Sequence, residues 1–403
     1  MKRPELMAPA GDRVSLIAAL KAGADSVYFG LKDLNMRATA GNFELNQLKE
    51  IISLCRKSAA KAYLTINTIL YEEELDKLKK TIKAVSDAGV DGIIFWDMAV
   101  LRLAAEHPKL KLILSTQASV SNSIACTWYK KQGISRIVLA RECSLEQIRT
   151  IRKKTDIEIE VFVHGAMCVS VSGRCFLSQF LFGRSANRGD CLQPCRRHYK
   201  VIDPEENKEL DLMNNYVMSP KDLCTLPFIE KLIEAGITCF KIEGRARSPE
   251  YVRTVTAAYK KAIDAYFAGT LDQQLKDQLT ASLKTVFNRG FSGGFFLGRP
   301  IDDWTDAYGS QATTRKHYIG YVRKFYKKIS VAELVIESGE VMIGDMIMFQ
   351  GPVTGVNEQE VISLQKEHQD ITKASKGERI ALKADQEARP RDKVFKILHK
   401  DLT

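Results

Sequence analysis

The sequence predicts a (β/α)8 barrel of the TIM type, followed by a small β-barrel domain. Between residues 5 and 245, eight short apolar runs alternate with amphipathic stretches of helical period, the pattern of repeated βα units around a parallel sheet. After Lys316 the pattern changes to short strands of mixed apolar and polar residues, with turn residues such as Gly351-Pro352 between them. A chain of 403 residues, 45% of them hydrophobic, is long enough to form two such domains.

Each predicted strand ends where a turn or a helix begins. The strands are predicted at 5–9, 26–31, 62–67, 92–97, 111–118, 136–141, 158–164 and 238–245. The helices between them are predicted at 13–22, 44–60, 72–88, 98–106, 121–132, 145–153 and 220–235, and a last helix at 249–267 would complete the barrel. Four of these helices are followed by a glycine, as C-terminal left-handed residues are: Gly23, Gly89, Gly133 and Gly236.

Three segments follow from this pattern. Residues 1–300 form the barrel and include a cysteine-rich region at 164–224, residues 301–315 form a polar linker, and residues 316–403 form the small β-barrel. In the last segment basic residues interleave with aromatic ones, for example Arg323 and Lys324 beside Phe325 and Tyr326. This arrangement is compatible with RNA binding through phosphate contacts and stacking, and equally with ordinary half-exposed strands.

The charge of the chain favours a polyanionic partner and is equally compatible with an ordinary solvated basic surface. The net charge is +11, and between residues 164 and 200 six cations against one carboxylate give a local charge of +5. The start of the chain lacks an apolar signal region, and no run of about 18 apolar residues occurs, so we expect a cytoplasmic protein without a membrane span. Cysteines are kept reduced there, which favours metal ligands or reactive thiols over disulfides.

Four of the nine cysteines fall within 36 residues. Cys168, Cys175, Cys191 and Cys195 are separated by six, fifteen and three residues, and Cys224 follows after 28 more. Thiolates in such a set can hold a zinc ion or an iron–sulfur cluster. Only the last two of the four have the close spacing of a zinc pair, which favours a cluster, but zinc and a site without metal remain open.

A cysteine nucleophile is another interpretation of this region, because His164 lies four residues before Cys168. Signatures of other hydrolases give little support. The sequence has no HExxH, and the GxSxG match at 290–294 follows a predicted helical segment, where a nucleophile elbow requires a strand.

Polar residues collect at the carboxyl ends of the predicted strands, where barrel enzymes have their active sites. Lys241, Glu243 and Arg245 alternate with Phe240, Ile242 and Gly244, so all three charges share one face of the last strand. Burying single charges costs several kcal/mol per ion, so the three either pair with one another or face a polar pocket. Further strand ends carry Asn67, Asp97, Ser115, Gln117, Arg141 and Glu142, and the loop 34–43 carries Arg37 and Asn42.

Several motifs together carry a family resemblance over about 290 residues. They are EVFVHGAMCVSVSGRCFLS at 160–178, APAG at 8–11, NMR at 35–37 with NF at 42–43, SPKDLC at 219–224, KIEGR at 241–245 with SPEY at 248–251, and FNRGF at 287–291. The sequence resembles the collagenase-like peptidase family U-32. Better-understood members of that family are oxygen-independent hydroxylases with a 4Fe-4S cluster, acting on a tRNA wobble uridine, a ribosomal RNA cytidine or the ubiquinone ring, with prephenate implicated as the hydroxyl source.

The resemblance implies ligands and a branch of the family. Carried over by position, the cluster ligands are Cys168, Cys175, Cys191 and Cys224, and Cys195 could replace Cys191. The appended β domain and the chain length favour the tRNA branch, so we expect 5-hydroxyuridine at the tRNA wobble position, made with prephenate. The other four cysteines are expected in the core.

Roles for the remaining candidates follow from their chemistry. His164, Glu243 and Lys241 are the candidate acid–base residues, and the groups expected to bind a small dianionic co-substrate are Arg37, Asn42, Arg141, Arg174 and Arg245. The electron donor is not specified by the sequence. Two other functions stay open: a collagenase-like peptidase, and a non-catalytic RNA-binding or maturation factor with a structural metal.

Overall fold

Eight parallel strands close into a barrel in the computed structural model, which describes residues 2–210 and 216–400. Each strand pairs with the next, and the last strand pairs with both the first and the seventh. All eight predicted strands are confirmed. Their bounds are β1 (Glu5–Ala10), β2 (Ser26–Gly30), β3 (Lys61–Ile66), β4 (Gly92–Phe95), β5 (Lys111–Leu114), β6 (Arg136–Val138), β7 (Glu158–Gly165) and β8 (Cys239–Ile242).

Helices surround the barrel and follow their strands as the apolar periodicity predicts. In α6, for example, Ser144 and Gln147 form a capping box, and Leu145, Ile148 and Ile151 are buried on one face. The helices are α1 (Arg13–Lys21), α2 (Leu48–Lys57), α3 (Leu75–Asp87), α4 (Met98–Ala104), α5 (Ser123–Lys131), α6 (Leu145–Lys154), α7 (Leu177–Phe182), α8 (Ile229–Glu234), α9 (Pro249–Ala268) and α10 (Gln273–Lys284). None of the helices in the described part of the chain has the length and apolar character that crossing a membrane requires.

The cysteine-rich region lies between β7 and β8 and corrects one prediction. It contains α7, a hairpin of Val201–Asp203 and Lys208–Leu210, and a strand, Asp222–Cys224. That strand pairs antiparallel with the end of β7 and parallel with Phe291–Ser292, whereas the sequence predicts a helix from residue 220. Its three residues are buried, so tertiary hydrogen bonds from β7 override the local helical pattern, and the helix α8 begins only at Ile229.

The C-terminal segment is an antiparallel sheet with its own hydrophobic core. Its eight strands, in spatial order, are Gly355–Glu360, Met346–Gly351, Lys393–His399, Thr314–Tyr326, Val331–Ile336, Arg379–Lys383, Gln365–Lys366 and Gln369–Asp370. Glu340–Met342 and Lys373–Ser375 form a separate pair of strands.

This sheet is fixed against the barrel helices α1 and α9. Gly355 has φ +68° and lies so close to α1 that a Cβ there would stand 3.0 Å from Ile17 Cγ2. Arg253 on α9 also pairs with Glu358 at 3.1 Å. The segment before the sheet, predicted as a linker, is likewise held: Lys221 N donates to Asp303 O at 2.9 Å, and Thr305 N to Ser219 O at 2.8 Å.

Buried ion pairs fill the barrel interior at the amino ends of its strands. Arg136 on β6 is 2% exposed and contacts Glu5 at 3.0 Å, Glu158 at 2.8 Å and the fully buried Glu160 at 3.3 Å. Glu160 also accepts a hydrogen bond from Lys241 Nζ at 2.8 Å. Removing one partner from such a network leaves a charge buried without compensation.

Replacing Arg136 by Met is therefore expected to lower the free energy of unfolding by about 3–5 kcal/mol, the range for breaking a buried ion pair. Denaturant titration measures this loss. As a control, Lys83→Ala breaks an exposed pair with Asp87 and should change stability by less than about 1 kcal/mol. If the Arg136 and Lys83 variants were equally stable, the buried ion pairs of Arg136 would not stabilise the barrel as expected.

The same network predicts a pH dependence through Glu5. Burial alone would raise the pKa of Glu5, but the hydrogen bonds and charges of Arg136 and Lys61 outweigh it and lower the pKa to about 2. A carboxyl with a lowered pKa stabilises the fold above its unfolded-state pKa and loses that contribution as pH falls towards its folded-state pKa. Between pH ~6 and ~3.5 the native protein should lose about 1.4 kcal/mol more stability than Glu5→Gln, as measured by denaturation across pH. Parallel pH profiles would contradict this.

Candidate functional site

A cavity of about 70 Å³ lies inside the barrel at the carboxyl ends of its strands. We call it the inner cavity. Tyr28 and Phe162 form part of its apolar wall. Its polar lining includes Thr65, Asn67, Ser115 and Gln117, and its charged lining consists of Arg37, Arg141, Lys241, Glu243 and Arg245.

The charges in the inner cavity do not balance. Lys241 is neutralised by Glu160, and Arg37 pairs with Glu243 at 3.0 Å. Neither Arg141 nor Arg245 has a carboxylate within 4.0 Å among the described residues. The three charges predicted on the last strand therefore do not pair with one another, and all three line the polar cavity. The strand β8 ends at Ile242, so Glu243 and Arg245 follow it in the next segment and do not lie on it as predicted.

The two arginines without carboxylate partners retain hydrogen-bonding capacity. Arg245 Nη1 donates to Thr65 Oγ1 at 2.9 Å, and Arg141 Nη1 donates to Ala166 O at 2.9 Å. The Arg141 guanidinium stacks on Phe162 at 4.3 Å from the ring centre, and its Nε is buried without a hydrogen-bond partner. A buried donor without a partner is costly, so a bound anion would be stabilised here.

The charged side chains of the inner cavity keep their charges at neutral pH, which leaves the cavity with a net positive charge. Burial would raise the pKa of Glu243, but the charges of Arg37, Arg141 and Arg245 outweigh it, lower the pKa and keep the carboxylate ionised. Burial, followed by repulsion from Arg37, lowers the pKa of Arg245 to about 10, which leaves the guanidinium protonated. The cavity is thus suited to a small molecule with more than one negative charge.

The loop 34–43 carries Arg37 into the site. Asn42, at φ +50°, donates from Nδ2 to the carbonyls of Arg37 at 2.8 Å and Ala40 at 3.0 Å. Ala38 N donates to Gly189 O in the cysteine-rich region at 3.1 Å. Gly189 has φ +89°, and a Cβ there would clash with the carbonyl of Asn35, so this position requires a glycine. Asn42, a predicted binding residue, therefore holds the loop and does not line the cavity.

A second cavity, of about 170 Å³, is lined by four thiols: Cys168, Cys175, Cys191 and Cys195. We call it the cysteine cavity. It meets the inner cavity at Arg37, Cys168 and Glu243, which line both. Leu177 N donates to Cys175 Sγ at 3.3 Å, and Gln193 N to Cys191 Sγ at 3.4 Å, so backbone donors already face two of the sulfurs. Arg196 and Arg247 also line the cysteine cavity.

Cys224 lies apart from these four. It is 3% exposed, does not line the cysteine cavity, and contacts the hydroxyl of Tyr259 at 3.9 Å through its sulfur. Burial raises the pKa of this thiol to about 11. The structure therefore groups Cys195 with the other three cysteines and not Cys224, the residue that the family resemblance predicts as fourth ligand.

The four thiols do not form a site for a single metal ion as they stand. Among the residues at 2–210 and 216–400, no three His, Cys, Asp or Glu side chains converge on a point where such an ion could bind. What the cysteine cavity provides is four thiols that line one space.

Two predicted residues lie away from both cavities. His164 is 1% exposed and packs among Tyr251, Tyr259 and Phe291, with ring centres 5.5–5.9 Å away. Burial, with a smaller effect of Arg247, lowers its pKa to about 3, so the ring is neutral at pH 7. Arg174 is exposed, donates to Ser119 Oγ at 3.1 Å and lines neither cavity.

Several of the basic residues predicted around the cysteines form ion pairs or hydrogen bonds within the fold. Arg184 pairs with Asp190 at 2.6 Å, and Arg188 pairs with Glu74 at 2.7 Å. Arg196 donates to Ser219 and to the carbonyls of Pro220 and Met167. The four remaining cysteines are buried, as expected for core residues: Cys55, Cys126, Cys143 and Cys239.

Sequence reasoning missed two arginines of the cysteine cavity, Arg196 and Arg247. In the sequence, Arg247 continues the period-two series of charges at 241, 243 and 245, a signal that could have identified it. Its guanidinium stacks on Phe287 at 3.6 Å from the ring centre. For Arg196 no local pattern distinguishes it from Arg197, which is exposed beside it.

The fold and the site together define the class: a TIM-barrel protein whose site lies at the carboxyl ends of the strands, next to a thiol-rich insertion after the seventh strand. The chain belongs to peptidase family U32, whose model matches residues 11–306.

Relatives of the chain carry two kinds of name. It is 46% identical to a protein named collagenase from Porphyromonas gingivalis, across 98% of this chain and 97% of that one. It is 37% identical to tRNA hydroxylation protein P1 of Bacillus subtilis, across 87% and 84%. It is also 38% identical to the 23S rRNA 5-hydroxycytidine C2501 synthase of Escherichia coli, across 74% of this chain and 46% of that one.

Proposed function

We propose that the protein is an oxygen-independent RNA hydroxylase that forms 5-hydroxyuridine at the wobble position of tRNA. The observation that carries the proposal is the adjacency of a four-thiol cavity and a cationic cavity, both of which are lined by Arg37, Cys168 and Glu243. Relatives named as tRNA and ribosomal RNA hydroxylation proteins support it.

A 4Fe-4S cluster is the group we assign to the cysteine cavity. Three ligands are Cys168, Cys175 and Cys191, and the N–H groups that face Cys175 and Cys191 suit thiolate sulfur. Arg37, Arg196 and Arg247 would offset the negative charge of four thiolates. When bound, such a cluster supplies single electrons. The fourth ligand is Cys195 by its position in the cavity, or Cys224 by the family resemblance.

The inner cavity is our proposed site for the hydroxyl source, a small dianion such as prephenate. Arg141 and Arg245 would each bind a carboxylate, and the unpartnered Nε of Arg141 is one donor available for it. Cys168 lines both cavities, so a dianion in the inner cavity would lie beside the thiol-lined space. Glu243, ionised and paired with Arg37, would accept a hydrogen bond from a ligand in the cavity. The arginines that lower its pKa also make its carboxylate a weak base.

A peptidase is the second candidate, because of the family name and the relatives named collagenase. The site gives it less support. His164 is turned away from both cavities, and Ser292 of the GxSxG match donates its hydroxyl proton to Asp303, so neither is arranged as a nucleophile with its base.

Serine variants decide the fourth cluster ligand. If Cys195 is the ligand, Cys195→Ser purified without oxygen should lose most of its iron and brown colour, and Cys224→Ser should keep them. Iron analysis and visible absorbance measure this. The reverse result would assign Cys224, and loss of iron in neither variant would contradict a four-thiolate cluster at this site. Cys126→Ser, in the core, is the matched control.

Replacement of one arginine tests the proposed function. Cells lacking the gene should lose 5-hydroxyuridine-type nucleosides from tRNA. A gene encoding Arg141→Gln should restore roughly tenfold less of these nucleosides than the native gene, because a charged partner of the dianion is lost. Arg174→Gln, outside both cavities, should restore them fully. Mass spectrometry of tRNA nucleosides is the measurement, and unchanged nucleosides in the deletion strain would reject the proposal.

A further inference from the structure

A third cavity, of about 220 Å³, lies on another side of Cys168. We call it the Trp304 cavity. Its apolar wall is formed by Met167, Pro220, Phe295, Pro300 and Trp304, and its polar lining includes Lys221, Asp302 and Asp303. The family motifs and the proposed roles of the first two cavities leave this cavity unassigned.

The wall that carries Trp304 is held in place by backbone hydrogen bonds. Pro220 and Trp304 form an antiparallel bridge, flanked by the bonds from Lys221 N to Asp303 O and from Thr305 N to Ser219 O. The Ser292 hydroxyl donates to a carboxylate oxygen of Asp303. The segment predicted as a linker therefore contributes a fixed aromatic wall to the cavity.

The lining selects a flat ligand with a polar edge. An indole and a phenyl ring offer surfaces on which an aromatic ring can stack. Asp302 and Asp303 are acceptors and Lys221 is a donor, so the polar side matches a ligand that carries both donors and acceptors. A dianion is disfavoured here by the two carboxylates, which distinguishes this cavity from the inner one.

Apolar side chains are exposed at the cavity and in the chain segment beside it. Val169, which lines the cavity, is 45% exposed. Leu297 and Ile301, in the segment that supplies Phe295, Pro300 and Trp304, are 60% and 82% exposed. Exposed apolar side chains of this kind are typical of binding surfaces. Cys168 lines all three cavities, so a ligand in the Trp304 cavity would lie close to Cys168.

We propose that the Trp304 cavity binds one unpaired pyrimidine base of the RNA, turned out of its strand and stacked against Trp304. This inference rests on the proposed function for the nature of the ligand. A pyrimidine has a flat face for stacking and an edge with both donors and acceptors, and enzymes that modify a base take it out of the stack into such a pocket. Asp302 or Asp303 would accept from the base, and Lys221 would donate to a base carbonyl.

Binding of a small RNA to the full chain tests the cavity directly. The probe is an RNA hairpin with a uridine in its unpaired loop, compared with the same hairpin lacking only that base. The native protein should bind the complete hairpin roughly five- to hundredfold more tightly, the range for one stacked base. Trp304→Ala should remove most of this difference, and Trp304→Phe should restore much of it.

Trp128→Ala is the matched control, since Trp128 is a half-exposed tryptophan on α5 that does not line any of the three cavities. Circular dichroism and iron content establish that each variant is folded. Equal affinity of the native protein for the two hairpins, or an unchanged difference in folded Trp304→Ala, would overturn the inference. The two proposals can fail separately. If binding depends on the base and on Trp304 but the deletion strain has unchanged tRNA nucleosides, base binding at the Trp304 cavity stands and the proposed reaction is rejected.

Discussion

The carboxylate of Glu160 is the constraint on which the site depends. It is fully buried between Arg136, at 3.3 Å, and Lys241, at 2.8 Å, and so joins the ion pairs inside the barrel to the strand that lines the inner cavity. A charge at this depth is tolerated only with close partners. Lys241 pairs with Glu160, and Glu243, just after the end of the same strand, pairs with Arg37. The mouth of the barrel thereby keeps an excess of positive charge.

That excess gives the inner cavity its chemical character. Arg141 and Arg245 have no carboxylate partner within 4.0 Å in the described part of the chain, and one buried donor of Arg141 is unsatisfied. Folding alone would not favour such an arrangement, since an unpaired buried donor costs free energy. The dianion of the proposed function would supply the missing negative charge and a partner for this donor.

Cys168 connects three regions of different chemistry. The inner cavity is cationic, the cysteine cavity contains four thiols, and the Trp304 cavity is aromatic with acidic groups. The proposed hydroxylation would use these three regions for its hydroxyl source, its cluster and its base. They lie side by side because the insertion between β7 and β8 is fixed both to the loop that carries Arg37 and, through Ser219 and Lys221, to the segment that carries Trp304.

The barrel could be predicted from the sequence, since eight apolar runs and the helices between them follow from periodicity that local side-chain chemistry sets. The charges at the end of the last barrel strand and the cysteine-rich region could be located as well, because charge spacing and cysteine spacing are local properties. Three features required the folded chain: Cys224 lies outside the cavity that the other four thiols line, residues 222–224 form a strand, and Trp304 lines a cavity with Cys168. These depend on hydrogen bonds and packing between segments distant in the chain, which no local pattern encodes.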